Sequence, residues 1–328
     1  MMYRIFILLL VLILGGVSTV AGEDGAGGFA APFLQVPIGA RPAALGGAYI
    51  SLSNDGAGAL YNPAGLATLR KALFSSSYRL MDLDRTLSFV SLVVPTARNS
   101  ALGFGWRYAG SGSVEARNSD GDLLGFELAH HNHEFTVMFA KRFENFFSAG
   151  FKGSYLHSSF AEMTSFSVSL DVGLMFHLSQ LVARERRDLM PVQDITVGLV
   201  ARNFGAKYRW NNEKYLIKHY TSYLPVEQDD LVPIQIGLGG SARFLKRKLL
   251  LTSDVLGDVK ERFEIHGGAE YFVSPELALR AGYSDKQLTA GTGYVFEFTN
   301  LTLAIDYAFS TDRADEGSEH IFSFDLLF

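Results

Sequence analysis

The chain has 328 residues, 48% hydrophobic and 13% aromatic, with 34 acidic side chains against 29 basic ones and no cysteine. Lack of cysteine excludes disulfide staples, thiolate nucleophiles and sulfur-ligated metal. A net charge of −5 with scattered Lys and Arg leaves no footprint for a phosphate backbone, which excludes nucleic acid as a partner.

The amino terminus carries Arg4, an uninterrupted apolar run from Ile5 to Leu14, and a small-residue exit at Thr19-Val20-Ala21. That run is about half of the roughly 20 apolar residues a spanning helix needs, so 1–21 reads as a secretory signal peptide. The mature chain is expected to begin near Gly22 or Glu23.

From 22 to 71 the text is rich in Ala and Gly and follows no period. Arg41-Pro42 opens a short helix-compatible run, since proline suits the first helical turn, and Gly46-Gly47 permits close backbone packing. Asn54-Asp55-Gly56 and Asn62-Pro63 each start a turn. So compact a segment can fit inside a lumen.

Alternation begins at Ala72. From 164 to 178, Phe166, Val168, Leu170, Val172, Leu174 and Phe176 fill one face, against Ser165, Ser167, Ser169, Asp171, Gly173 and His177 on the other. No helical period fits this stretch. The pattern recurs over 72–81, 86–95, 100–109, 133–143, 147–157, 164–178, 193–204, 232–243, 248–258, 262–273, 276–284, 288–298, 300–309 and 318–328. About fourteen strands, an even number, suit a single-chain transmembrane antiparallel barrel. The fold class is therefore all-β, with a barrel over 72–328. Loop length alternates as such barrels require, short at 96–99, 144–146, 274–275 and 299–300, long at 110–132 and 205–231. The charged stretch 179–192 breaks that rule.

A soluble sandwich or lipocalin-like barrel would also alternate, with its apolar face inward. Here the apolar face is aromatic, while Arg107, Lys152, Asp171, Arg202, Asp254, Glu270, Arg280 and Asp306 recur opposite it. Recurrent charges need water or one another, which places them in the lumen and the aromatics against lipid. The plentiful glycine is expected to let the strands curve. The last strand puts Phe322, Phe324, Leu326 and the terminal Phe328 on one face and Ser323 and Asp325 on the other. Phe328 is expected to serve as an assembly signal read by barrel-assembly machinery.

The string from Phe33 to Leu69, with Gly39-Ala40-Arg41, Leu45-Gly46-Gly47-Ala48, Asn54-Asp55 and Tyr61-Asn62-Pro63-Ala64-Gly65-Leu66, resembles the N-terminal signature of the PorV/PorQ family. That family is similar to FadL-type long-chain fatty-acid transporters. The resemblance implies an N-terminal hatch over 22–71 plugging a fourteen-stranded barrel in the outer membrane of a Gram-negative-type bacterium. It assigns Asn62, Pro63, Ala64 and Gly65 to the hatch motif, and Arg41, Gly46, Gly47, Asn54 and Asp55 to its support. Leu45 stands where the signature usually has Met.

Other candidate sites are weaker. His130, His131 and His133 form a cluster with few carboxylates nearby, and a solvated loop running into the fourth strand is expected rather than a metal site. Asn118, Asp120 and Asp122 around Gly121 lack EF-hand spacing and read as a polar turn. Gly110-Ser111-Gly112-Ser113 is a truncated nucleophile elbow, and nothing fixes the geometry of His157, Ser158, Ser159 and Glu162, so no enzyme and no cofactor are expected. The loop at 205–231 carries Tyr208, Trp210, Tyr215, Tyr220 and Tyr223 outside the barrel. These rings could pack together over the barrel mouth or form a capture surface for an apolar ligand or a protein.

Two functions remain. Resemblance to PorV and PorQ implies a component of type IX-like secretion that binds cargo or translocon proteins. Resemblance to fatty-acid transporters implies passage of a hydrophobic small molecule. Charges of both signs in the lumen argue against a wide greasy tunnel and tilt the expectation toward secretion.

Overall fold

The computed structural model describes residues 30–96, 99–118, 120–161, 163–182, 191–219, 227–258, 263–284, 287–311 and 317–328. The expected signal peptide, and Glu162, Tyr220 and Tyr223, lie outside them. Fourteen antiparallel strands form one closed barrel. In chain order these are β1 (Leu73–Leu80), β2 (Thr86–Thr96), β3 (Ser100–Gly110), β6 (His130–Glu144), β7 (Phe147–Phe160), β8 (Met163–His177), β9 (Gln193–Phe204), β12 (Gln235–Phe244), β13 (Leu249–Asp258), β14 (Phe263–Phe272), β15 (Leu277–Ser284), β16 (Gln287–Glu297), β17 (Thr302–Ser310) and β18 (Glu319–Leu327). β18 pairs with β1 from Leu73↔Leu327 to Leu80↔His320, which closes the cylinder and removes both sheet edges.

The long connections carry small structures of their own. β4 (Val114–Arg117) pairs with β5 (Leu123–Leu128), and β10 (Lys207–Asn211) pairs with β11 (Glu227–Leu231), with a short helix at Glu213–His219 between the latter two. The fourth barrel strand starts at His130, three residues before the expected start, so the histidine cluster belongs to a strand and not to a loop. Its cross-strand partners Tyr108, His157 and Phe160 extend the pairing to that point.

The predicted faces hold. Along β8, Phe166, Val168, Leu170 and Val172 are exposed, while Ser165, Ser167, Ser169 and Asp171 are buried. Phe322 and Phe324 are exposed on β18 with Ser323 buried between them. Arg107, Lys152, Asp171, Asp254, Glu270, Arg280 and Asp306 are all buried on the inner face. Exposed apolar side chains around the outside match a wall solvated by lipid. Aromatic rings gather toward both rims, as at Trp106–Tyr108 and Phe147–Phe176, with centroids 6.3 and 5.1 Å apart.

Residues 30–69 lie within the cylinder. They form short 3₁₀ turns at Pro32–Leu34, Gly58–Leu60 and Pro63–Thr68 and a five-residue helix at Ala40–Ala44. Arg41-Pro42 does sit in the first turn of that helix, and Asn62-Pro63 opens the last 3₁₀ turn.

Candidate functional site

The lumenal segment meets every one of the fourteen barrel strands, a position available only inside a closed cylinder. Side chains of the wall reach its backbone on several sides. Asp254 Oδ2 accepts from the N–H groups of Tyr49 and Ile50 at 2.6 and 2.8 Å. Thr289 Oγ1 donates to Ala44 O at 3.1 Å, and Thr252 Oγ1 to Ala48 O at 3.1 Å. Arg202 Nη2 donates to Tyr61 O at 2.7 Å, Ser91 Oγ to Gly56 O at 3.1 Å, and Arg79 Nη1 to Pro37 O at 2.8 Å. An irregular backbone in a lumen needs such partners, because no ladder satisfies it.

Wall glycines bring these backbones together. A methyl group added at Gly150 of β7 would lie 2.6 Å from the Pro63 carbonyl carbon, and one at Gly173 of β8 would lie 2.9 Å from Pro63 Cδ. At Gly198 it would meet Ile50 O at 2.5 Å, at Gly239 Ile50 Cβ at 2.8 Å, and at Gly268 Leu45 O at 2.6 Å. At Gly291 it would meet Ala44 Cβ at 2.5 Å, and at Gly282 it would run into the backbone of Leu45 and Gly46. Seven strands thus give up a side chain where the segment touches them. Sequence reasoning treated glycine as a means of curvature; at these sites it permits close approach. The available signal was phase, since Gly173 falls in register with Ser165, Ser169 and Asp171 on the polar face.

The expected motif residues are brought together. Asn62 is fully buried; its Oδ1 accepts from Ala64 N at 3.1 Å, capping the turn, and its Nδ2 donates to Ile50 O at 3.0 Å and Leu174 O at 3.1 Å. One side chain therefore ties the turn to the segment and to β8. Pro63, Ala64 and Gly65 are buried, and a side chain at Gly65 would collide with Ser53. Gly46 has φ +66 and packs on the backbone of Tyr283, so it needs glycine for both conformation and space. Gly47 has φ +82 and faces the His266 ring. Leu45 is fully buried in the apolar cluster of the segment.

Two ion networks flank this contact zone. Toward the short-turn end, Arg41 Nε donates to Glu270 Oε1 at 2.8 Å and Nη2 to Glu270 Oε2 at 2.9 Å, while Nη1 donates to Tyr49 Oη and Asn54 Oδ1, each at 2.9 Å. Glu270 also accepts from Arg280 Nε at 2.8 Å, and Arg280 pairs with Asp306. Tyr49 Oη donates to Asp55. Burial raises the Asp55 carboxyl above its ordinary range, and its Oδ1 has no hydrogen-bond partner. Toward the long-loop end, Arg107 pairs with Glu134, Lys152 Nζ donates to Glu134 at 3.0 Å, and Lys152 lies 2.8 Å from Asp171.

The outer loops close over the segment only in part. Tyr208 is buried against it with Trp210 beside it, ring centroids 5.8 Å apart. Tyr215 contacts Phe126 of β5 at 6.3 Å, which joins the two outer hairpins. Ile217, Leu123 and Leu231 stay exposed. Between segment and wall on this side remains a pocket of about 40 Å³, lined by Leu34, Val36, Tyr61 and Leu256 with Arg107 and Arg202.

The weaker candidates resolve. His131 and His133 share the outer face, where Tyr108 Oη lies 2.8 Å from His131 Nδ1 and the Trp106 and His133 rings stack at 6.1 Å. No group of three side chains suited to hold a metal ion occurs among the described residues. Asn118 Oδ1 accepts from the N–H groups of Asp120 and Asp122, forming a polar turn. On β7, Ser158 is buried and bonded to Asn132, while its neighbour His157 belongs to the outer face.

No protein-family model matches the chain, and no match was found among curated proteins. Solved structures do match. The toluene transporter TodX of Pseudomonas putida superposes with a TM-score of 0.57 at 12% identity, over 87% of this chain and 95% of that one. The CymD monoaromatic hydrocarbon channel gives 0.59 at 13% identity, over 89% and 97%. A FadL homologue of Pseudomonas aeruginosa gives 0.54 at 13% identity, over 89% and 98%. None of these comparisons supports the PorV/PorQ resemblance or the secretion role it implied. The chain has the fold of the FadL-type barrels over most of its length.

Proposed function

We propose that the protein is an outer-membrane conduit for hydrophobic small molecules, its lumen plugged by residues 30–69, the part of the expected 22–71 hatch that lies among the described residues. The observation that carries this reading is the segment's contact with all fourteen strands of a closed barrel: an occupied lumen suits gated passage and does not suit a diffusion porin. Likeness in fold to a toluene transporter and a monoaromatic hydrocarbon channel supports an apolar cargo. The exposed aliphatic residues Leu123, Ile217 and Leu231, with Tyr215 and Phe126, offer apolar surface at the mouth where such a molecule would be captured. Asn62, Pro63, Ala64 and Gly65 hold the hatch in one conformation, and Arg41, Gly46, Gly47, Asn54 and Asp55 seat it. The aromatic rims fit residence in a bilayer.

Purification in mild detergent, with mass spectrometry of co-purifying lipids and proteins, tests the reading. A specific apolar molecule without stoichiometric protein partners is expected. Stoichiometric secretion proteins without such a molecule would overturn it.

A further inference from the structure

Beneath the segment, at the short-turn end, lies a cavity of about 250 Å³. Its place follows from its lining, which includes the first residue of β1, Leu73, the last of β18, Leu327, and Pro275 and Glu276 from the turn between β14 and β15. By comparison, an engineered protein cavity of about 150 Å³ takes benzene. One side of it is apolar, with Leu73, Val295, Ala304 and Leu327. The other side carries five carboxylates, Asp55, Glu270, Glu276, Asp306 and Asp325, against the guanidiniums of Arg41 and Arg280.

The two guanidiniums are already committed to Glu270 and Asp306. All three Arg41 nitrogens donate to Glu270, Tyr49 or Asn54, and Arg280 donates to Glu270 and Asp306. Asp325 accepts from the Ser75 hydroxyl, and Glu276 from Ser274. Asp55 is 91% buried, lines the cavity, and keeps its Oδ1 without a partner. The site therefore holds five carboxylates against two guanidiniums, and a buried acceptor without a donor, beside an apolar wall. Buried carboxylates in that condition are stabilised by a cation.

We propose that this cavity binds a small organic ammonium ion, its charged nitrogen toward Asp55, Asp306 and Asp325 and its apolar body against Leu73, Val295 and Leu327. The proposal goes beyond the conduit reading: the site lies on the short-turn side of the segment and its occupancy does not require that anything cross.

Calorimetric titration of the full-length protein in a non-ionic detergent tests it, with benzyltrimethylammonium as the probe. Neopentylbenzene, the neutral isostere, and benzoate serve as comparisons. The cation is expected to bind at one site, at least about tenfold more tightly than either comparison, and Asp325→Asn is expected to weaken it about tenfold. Glu276→Gln, at an exposed position in the turn between β14 and β15, is expected to weaken it about twofold and keeps the test open if the first variant fails to fold. Equal affinity for the cation and its neutral isostere would overturn the proposal. So would a cation affinity that neither variant changes. Titration reads binding directly, so its failure leaves the conduit reading standing, and failure of that reading leaves the site.

Discussion

The two ion networks inside the barrel differ in who completes them. On the β3–β8 side the chain Arg107, Glu134, Lys152 and Asp171 is drawn wholly from wall strands. On the β14–β17 side, Glu270 sits between Arg280 of the wall and Arg41 of the lumenal segment. Both groups of charges are desolvated, so both depend on their partners. Only the second pairs a charged side chain of the segment with charges of the cylinder; in the first, Arg107 reaches the segment through the carbonyls of Phe33 and Leu34. The first network mainly joins wall strands to one another, and the second adds an ion pair to what fills them.

Breaking each network should separate these roles. Glu270→Gln leaves Arg41 and Arg280 short of a buried partner, and Glu134→Gln does the same to Arg107 and Lys152, so each is expected to cost about 3–5 kcal/mol in unfolding experiments. Only Glu270→Gln should also raise conductance across a planar bilayer; an equal rise in Glu134→Gln would erase the distinction. Next in size, Gly282→Leu forces a side chain into the backbone of Leu45 and Gly46 and is expected to cost about 1–3 kcal/mol by overpacking. Gly153→Ala is its control, because nothing lies within 4 Å of the added methyl, and stability should stay within about 0.5 kcal/mol.

Asn62→Ala removes a cap and two further bonds at once, an expected loss of about 2 kcal/mol. It should increase hydrogen exchange at 58–68 more than in the wall. Protection unchanged there would mean that the turn is held by packing alone. The smallest effect belongs to the exposed outer hairpin. Bonds from Arg209 and Lys207 hold the Asp229 carboxyl at about 2, below its ordinary 3.8. Their contribution is present above 3.8 and fades as pH falls toward about 2. Protection factors in β10 and β11, taken relative to the intrinsic exchange rate at each pH, should therefore not vary between neutral pH and pH 5, and should fall only under strong acid.

The wall was legible because a strand with lipid on one side and charges on the other repeats every two residues. Phe166, Val168 and Leu170 against Ser165, Ser167 and Ser169 needed no further information. His130 and His131 were read as loop, because a histidine run interrupts the apolar alternation that marks the rest of β6. The lumenal segment has no period; helix-start and turn chemistry marked Arg41, Gly46 and Asn62 one by one, and only a resemblance joined them into a single motif. Its wall partners stayed hidden: Asp254, Glu270 and the close-approach glycines lie 86 or more positions away in the chain and acquire meaning only once the cylinder closes. Tyr208 was legible as an aromatic in a long loop, but not as part of the packing over Phe33 and Leu34.

The central claim is that the segment occupies and blocks the lumen because wall glycines let it seat backbone to backbone. Planar-bilayer recording of the natural protein beside folded Gly282→Leu tests it most directly. The account predicts a closed baseline for the natural protein and frequent ion-conducting openings for the variant. An open pore in the natural protein, or a variant that inserts and stays as closed, would contradict it.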